Sequence, residues 1–269
     1  MKKTLQIANI IAFVVTIALN YVAGAGLING QTIGDISARY ENLFTPAGYA
    51  FSIWGLIYLM LAGFVIYQAR GLFKETDNDD FILQIGWWFV ISCLANSLWL
   101  IAWVYDYIGL SVLLIIVLLL SLIKIIVNTN MERWDAPFPK IVLLWWPFCF
   151  YSGWITVAVI ANISAYLTKA GWQGWGISEP SWAIIMIIAA GLINLFMIVS
   201  RNMREFAAVG IWALAAVAAA NWTGYQSIVI TAITVSIILF LAITIHSYQN
   251  RATAPHLKFK QMRDGKADK

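Results

Sequence analysis

Residues 110–128 read LSVLLIIVLLLSLIKIIVN, and Lys124 is the one ionisable side chain among them. About 20 apolar residues are needed to cross the ~30 Å hydrocarbon layer of a bilayer. Backbone groups in lipid must bond within their own segment, so the run reads as a helix. Working outward, the same reading recovers runs at 5–28, 47–69, 81–104, 141–167, 181–200, 206–222 and 225–247. The expected fold class is an all-α integral membrane protein of about eight transmembrane helices.

The composition agrees. The chain is 61% hydrophobic and 11% charged, where soluble domains carry about a quarter charged residues. Its net charge of +4 does not point to nucleic acid, because the basic residues sit in short loops and in the tail. Cys93 and Cys149 fall inside apolar runs and read as small buried hydrophobes, not as a disulfide or metal pair.

Charge sets the expected orientation. With the N-terminus inside, Lys2, Lys3, Arg70, Lys74, Lys124, Arg133, Lys140, Arg201 and Arg204 all fall inside, as do the six of the tail. Only Arg39 and Lys169 of the 17 fall outside. The positive-inside rule then places both chain ends in the cytoplasm and the chain in the plasma (inner) membrane. Lys2-Lys3, the first apolar run and Ala23-Gly24-Ala25 also resemble a cleaved signal peptide. The run is long for one and carries Asn9 and Asn20, so it is read as a retained helix.

Asn221-Trp222-Thr223-Gly224 divides 206–247 into two helices, and the Ala-rich 206–222 suits a helix packed among others. The longest outer loop, 29–46, ends at Pro46, which is placed to open the next helix. The tail 248–269 is polar and basic, and is expected to be disordered and to contact anionic lipid.

Enzyme signatures are missing: there is no HExxH, GxSxG or Walker loop. No carboxylate sits at mid-membrane, as proton-coupled pumps usually require, and the last helices hold no lysine for a retinal Schiff base. A binding role is therefore expected over a catalytic one, with no catalytic residue, no metal ligand and no required cofactor.

What remains is an aromatic and amide constellation. Phe51, Trp54, Tyr58 and Val65 share one face of the second run. Asn96, Trp99 and Trp103 do so on the third, and Tyr151, Trp154, Ala158 and Asn162 on the fifth. Each stripe sets flat rings beside an amide. Taken singly, each residue reads more plainly as packing, since membrane Asn often only bonds a neighbouring helix. The case for a site rests on three helices with the same kind of face.

At these residues the chain resembles the tryptophan-rich sensory protein family (TspO), which includes the mitochondrial translocator protein. The resemblance lies in Pro46-Ala47-Gly48-Tyr49-Ala50-Phe51 leading to Trp54 and Tyr58, in Asn96-Ser97-Leu98-Trp99, and in Trp154, Ala158 and Asn162. Two features depart from the family: Ser52 stands where a second proline is usual, and Pro46 lies closer to Trp54. The resemblance implies a five-helix domain over 1–168 with a central cavity capped by the loop between its first two helices. It leaves three additional helices in 169–247, and a basic tail in 248–269. Those helices could cover the surface through which the family forms homodimers, or build a new site.

The resemblance further implies a receptor or regulator for porphyrins, haem intermediates or sterols, with porphyrin breakdown ascribed to some members. It assigns the ligand face to Phe51, Trp54, Tyr58, Asn96, Trp99, Trp103, Trp154, Ala158 and Asn162, with bound porphyrin or haem, membrane lipid and a homodimer as partners. The family's sterol pattern is not found on the fifth helix; Val65-Ile66-Tyr67-Gln68-Ala69-Arg70 fits it by spacing on the second. Two alternatives stay open: a secondary transporter of a small amphipathic solute, with Asn194 and Asn221 as polar positions, and an intramembrane enzyme acting on a tetrapyrrole or lipid.

Overall fold

The structure, a computed structural model, describes residues 1–73 and 80–264. Lys74, Lys266, Lys269 and most of the acidic 70–80 segment lie outside the described residues. All regular structure in the described residues is helical. In chain order the helices are α1 (Lys2–Gly24), α2 (Ile33–Arg39), α3 (Ile53–Ala69), α4 (Phe81–Ile85), α5 (Trp88–Val104) and α6 (Ile108–Asn128). Then come α7 (Phe138–Lys169), α8 (Glu179–Arg201), α9 (Arg204–Ala220), α10 (Gln226–Gln249) and α11 (Pro255–Arg263).

Each of the eight apolar runs is helical. Six helices among the described residues are long and apolar enough to cross a membrane: Lys2–Gly24, Gly48–Leu72, Ile108–Asn128, Phe138–Lys169, Glu179–Arg201 and Gln226–Gln249. Large apolar side chains such as Leu59, Leu113, Leu192, Phe196 and Phe240 point outward along them. Exposed apolar surface on that scale belongs in lipid. The chain is a membrane-embedded, multi-pass helical protein.

Two runs are less regular than the sequence suggests. The third is broken: α4 stops at Gly86, whose φ of +55° suits glycine, and α5 starts again at Trp88. α7 opens with a π-helical turn over Ile141–Trp145. Pro147 follows directly and has no N–H to bond back into that turn, which explains the wider local winding.

α1, α3, α5, α6 and α7 form one group, in which α1 packs on α3 and α5, α5 on α6, and α6 on α7. α8, α9 and α10 form a second, joined to the first chiefly where α9 lies against α7. Small residues permit that approach. A Cβ on Gly153 of α7 would come 2.8 Å from the Phe206 carbonyl oxygen, and one on Gly191 of α8 would come 2.5 Å from a Val235 methyl. Amides join the helices elsewhere. Gln6 donates to the Gln68 carbonyl at 2.6 Å and Gln68 returns a bond to the Gln6 carbonyl at 3.0 Å.

The start of α1 and the helix α11 share one face with the 129–137 loop; Lys2 pairs there with Asp80 at 2.9 Å. The opposite face carries the 25–52 segment and the turns at 105–107, 170–178 and 221–225. The tail is not disordered throughout as expected: it holds a docked helix, α11, in which Lys258 pairs with Asp135 and Phe259 packs on Phe138, centroids 5.1 Å apart.

Candidate functional site

The second run enters the bundle through a 3-10 turn, Gly48–Ser52, and winds into α3. Phe51, Trp54 and Tyr58 follow at helical spacing and so face one way. The Trp54 and Tyr58 rings stack, centroids 5.3 Å apart and planes 20° apart. Trp54 also meets Trp99 at 6.2 Å, Tyr151 at 6.0 Å and Trp154 at 6.3 Å. Trp99 stacks on Trp103, four residues on, at 6.0 Å. Phe51 packs edge-on against Trp154 at 6.0 Å. The three stripes thus converge on Trp54.

Two adjoining cavities flank this cluster. The larger, about 720 Å³, is lined by Ile17, Asn20, Tyr21 and Gly24 of α1, by α2 and the segment after it, and by Phe51, Trp54, Tyr58 and Ala220. The smaller, about 50 Å³, lies deeper, against Trp99, Trp103, Trp154, Ala158 and Asn162. Ile33, Ser37, Thr45, Pro46, Phe51 and Trp54 border both. Eight of the nine residues singled out in the sequence line one cavity or the other. Asn96 lines neither.

The amides turn inward. Asn162 accepts from the Trp99 indole at 2.8 Å and donates to Ser111 Oγ at 2.9 Å. Asn96 donates to the Tyr151 hydroxyl at 3.1 Å and accepts from Asn20 at 2.9 Å. Both are engaged by the protein itself. The Trp154 indole N–H is different: it is buried and has no hydrogen-bond partner. Asn194 sits against Gly210 where α8 meets α9, and Asn221 donates to the Leu43 carbonyl at 3.0 Å. Neither lines the deep cavity. On the second run, Tyr67 stacks on Phe81, so the Val65–Arg70 segment also lies apart from both cavities.

A lid covers the cluster. α2 begins at a capping box between Thr32 and Asp35, and these bonds from Thr32 hold the Asp35 carboxyl below its ordinary range. Ile36 is fully buried beneath it. Trp103 donates to the Ile33 carbonyl at 3.1 Å, and Asn29 to the Val104 carbonyl at 2.6 Å. Asp106 collects the rest: the Tyr40 hydroxyl donates to it at 3.1 Å and Lys169 pairs with it at 3.0 Å, with Arg39 at 4.0 Å. The two cations expected outside are therefore gathered on one carboxylate. Burial works to raise the Asp106 pKa, but the Lys169 and Tyr40 hydrogen bonds and the charges of Lys169 and Arg39 hold it below its ordinary value.

α9 fastens the other edge. Trp212 donates its indole N–H to the Ala50 carbonyl at 3.2 Å, and the Ala47 N–H reaches the Ala216 carbonyl at 3.0 Å. Sequence reading missed Trp212, and missed Asn20, Tyr21 and Ser37 as cavity lining. Asn20 had one signal: it lies four residues after Thr16, which faces α5 through Ser97 at 3.3 Å.

The larger cavity is walled by apolar and aromatic groups, with Glu41 as its one charged lining residue. It offers no His, Cys or Met to a metal, and no group of three or more metal-ligating side chains occurs among the described residues. Such a space suits a hydrophobic, flat molecule. The family described as "TSPO-like protein" matches the chain over residues 6–245. No curated protein and no solved structure matches it.

Proposed function

For a chain that belongs to the TSPO-like protein family, we propose a membrane receptor or regulator that binds a hydrophobic planar ligand, a porphyrin or a sterol-like molecule, in the cavity beneath α2. The observation that carries this is the roughly 720 Å³ space walled by Phe51, Trp54 and Tyr58. Ligand sites usually run to about 300–1,000 Å³ with few polar groups. A deep pocket of about 50 Å³ is too small for a macrocycle. The ligand therefore lies on Phe51, Trp54 and Tyr58, with Trp99, Trp103 and Trp154 as the wall behind. The lining offers no His, Cys or Met as an axial ligand, only the phenols of Tyr21 and Tyr58, and a porphyrin is held through its ring on the aromatic wall. Its propionates project from the opening, away from Glu41.

The charge pattern of the loops supports a plasma-membrane protein with both ends in the cytoplasm. In that orientation the cavity opens toward the outer side. α8–α10 act as a brace for the lid.

Titration of the purified protein with protoporphyrin IX, followed by tryptophan fluorescence, tests the reading. Saturable quenching that weakens in Trp54→Ala is the expected result. Linear, unsaturable quenching, the same in wild type and variant, would mean that the porphyrin only partitions into the micelle, and would overturn it.

A further inference from the structure

The 129–137 loop and the start of α9 enclose a polar pocket at the opposite end of the molecule from the ligand cavity. Its volume is about 30 Å³, and Glu132, Asp135, Asn202, Arg204, Glu205 and Trp145 line it. That is room for about one water. Its polar atoms are poorly matched. Glu132 is 9% exposed, and its Oε1 has no hydrogen-bond partner. Glu205 Oε2, Asn202 Oδ1 and Arg204 Nε are likewise buried and unpartnered. The Trp145 indole N–H in the lining and that of Trp146 against Glu205 are unpartnered as well, so the hydrogen bonding of the pocket is left unfinished on both sides.

Charge points the same way. Glu132 and Glu205 bring two carboxylates against the single guanidinium of Arg204, which also donates to Ser247 of α10 at 3.2 Å. Asp135 is neutralised from α11 by Lys258. Cys149 of α7 is a free, buried thiol nearby. Arg133 adjoins Glu132 in the loop but faces Arg201 of α8, and His246 of α10 faces Arg204. Two buried carboxylates thus face one guanidinium, and a single proton makes up the missing charge.

We propose that Glu132 and Glu205 form a proton-binding carboxyl pair that holds one shared proton in this pocket. The proton sits as an O–H on Glu132 and is offered to the Glu205 carboxylate or to a water between them. Its release breaks that O–H bond and leaves both groups ionised beside Arg204. Two carboxylates in one low-dielectric site do not ionise together easily. Burial, and then the neighbouring Glu205 charge, push the Glu132 carboxyl up to about 8 against the pull of Arg204. The pocket lies at the solvent edge, with Pro255 of α11 as part of its wall, so a proton can exchange with the aqueous phase on that side.

Infrared difference spectra of the full-length protein, titrated from pH 6 to pH 9, read the proton directly through the C=O stretch of a protonated carboxyl. A band present at pH 7 and lost with a midpoint near 8 is expected in the wild type. Glu132→Gln should move its midpoint to lower pH and leave any remaining band to Glu205, which burial raises but Arg204 and the Trp146 indole pull down. Glu205→Gln should keep it and move its midpoint to lower pH, because the repelling charge is gone. Replacing sodium by a bulky organic cation should change nothing. The proposal is overturned if no protonated carboxyl exists at pH 7, or if the midpoint is unmoved by Glu132→Gln or by Glu205→Gln. A midpoint that follows sodium would overturn it too, and would make the pocket a sodium site.

Discussion

The Trp99 indole donates to Asn162 Oδ1 at 2.8 Å, so the amide of α7 that a ligand's polar edge could have used is already taken by a tryptophan of α5. Ser111 of α6 completes the arrangement at 2.9 Å, tying three helices at one point. Trp99 is therefore both a wall of the deep cavity and a structural bond. Trp99→Phe should keep the ring wall but leave the buried Asn162 Oδ1 with only the longer Ser111 contact at 3.3 Å, at a cost of about 1 kcal/mol. Thermal unfolding in detergent checks this, and Asn162→Ala made in the Trp99→Phe background should add less than it does alone.

Trp54 is the ring on which the three aromatic stripes converge. Trp54→Ala should weaken porphyrin binding about tenfold or more, which is about 1.4 kcal/mol. Ala158→Val, which narrows the deep pocket without touching a lid bond, should change it little. Equal losses in both would place the ligand in the deep pocket instead.

Glu41 is the charged group that lines the larger cavity. If porphyrin propionates leave through the same opening, Glu41→Gln should tighten binding of protoporphyrin IX. It should leave its uncharged dimethyl ester unaffected. Competition titrations with the two ligands separate the cases.

The Asp106 latch should depend on pH in one direction. Its folded-state pKa lies below the ordinary aspartate value of 3.8. Its contribution is therefore fully present above that value and is lost as pH falls through the lower folded value. Protease nicking of the 29–46 segment should rise below about pH 4 in the wild type. Asp106→Asn should show the raised rate already at neutral pH. With Asp106 about a third exposed, the effect on global stability should be small.

Gly153 sits where α9 crosses α7. Gly153→Leu should push the helices apart, since even a Cβ there would meet the Phe206 backbone at 2.8 and 3.2 Å. Overpacking of this kind costs about 1–3 kcal/mol. Because α9 also holds Ala47 and Ala50, the variant should both melt earlier and release porphyrin faster. Stopped-flow dissociation measures the second effect.

The sequence by itself determined the class of this protein. Eight apolar runs, with polar breaks such as Asn221–Gly224, became eight helical stretches, because in lipid a chain has few other ways to satisfy its backbone. It also determined which helix faces carry aromatic rings, since Phe51, Trp54 and Tyr58 share a face by spacing alone. The tertiary structure decided what those faces do. Asn96 and Asn162 looked equally free in the sequence, and hydrogen bonds across 51 to 76 residues of chain engaged both. Trp212 and Ala216 gave no local sign of holding the lid, because their partners Ala50 and Ala47 offer only backbone groups, which every sequence possesses. The Glu132–Glu205 pocket is likewise a meeting of distant loops. Periodicity is a local property that the bilayer enforces, whereas a cavity is what remains after distant helices have packed.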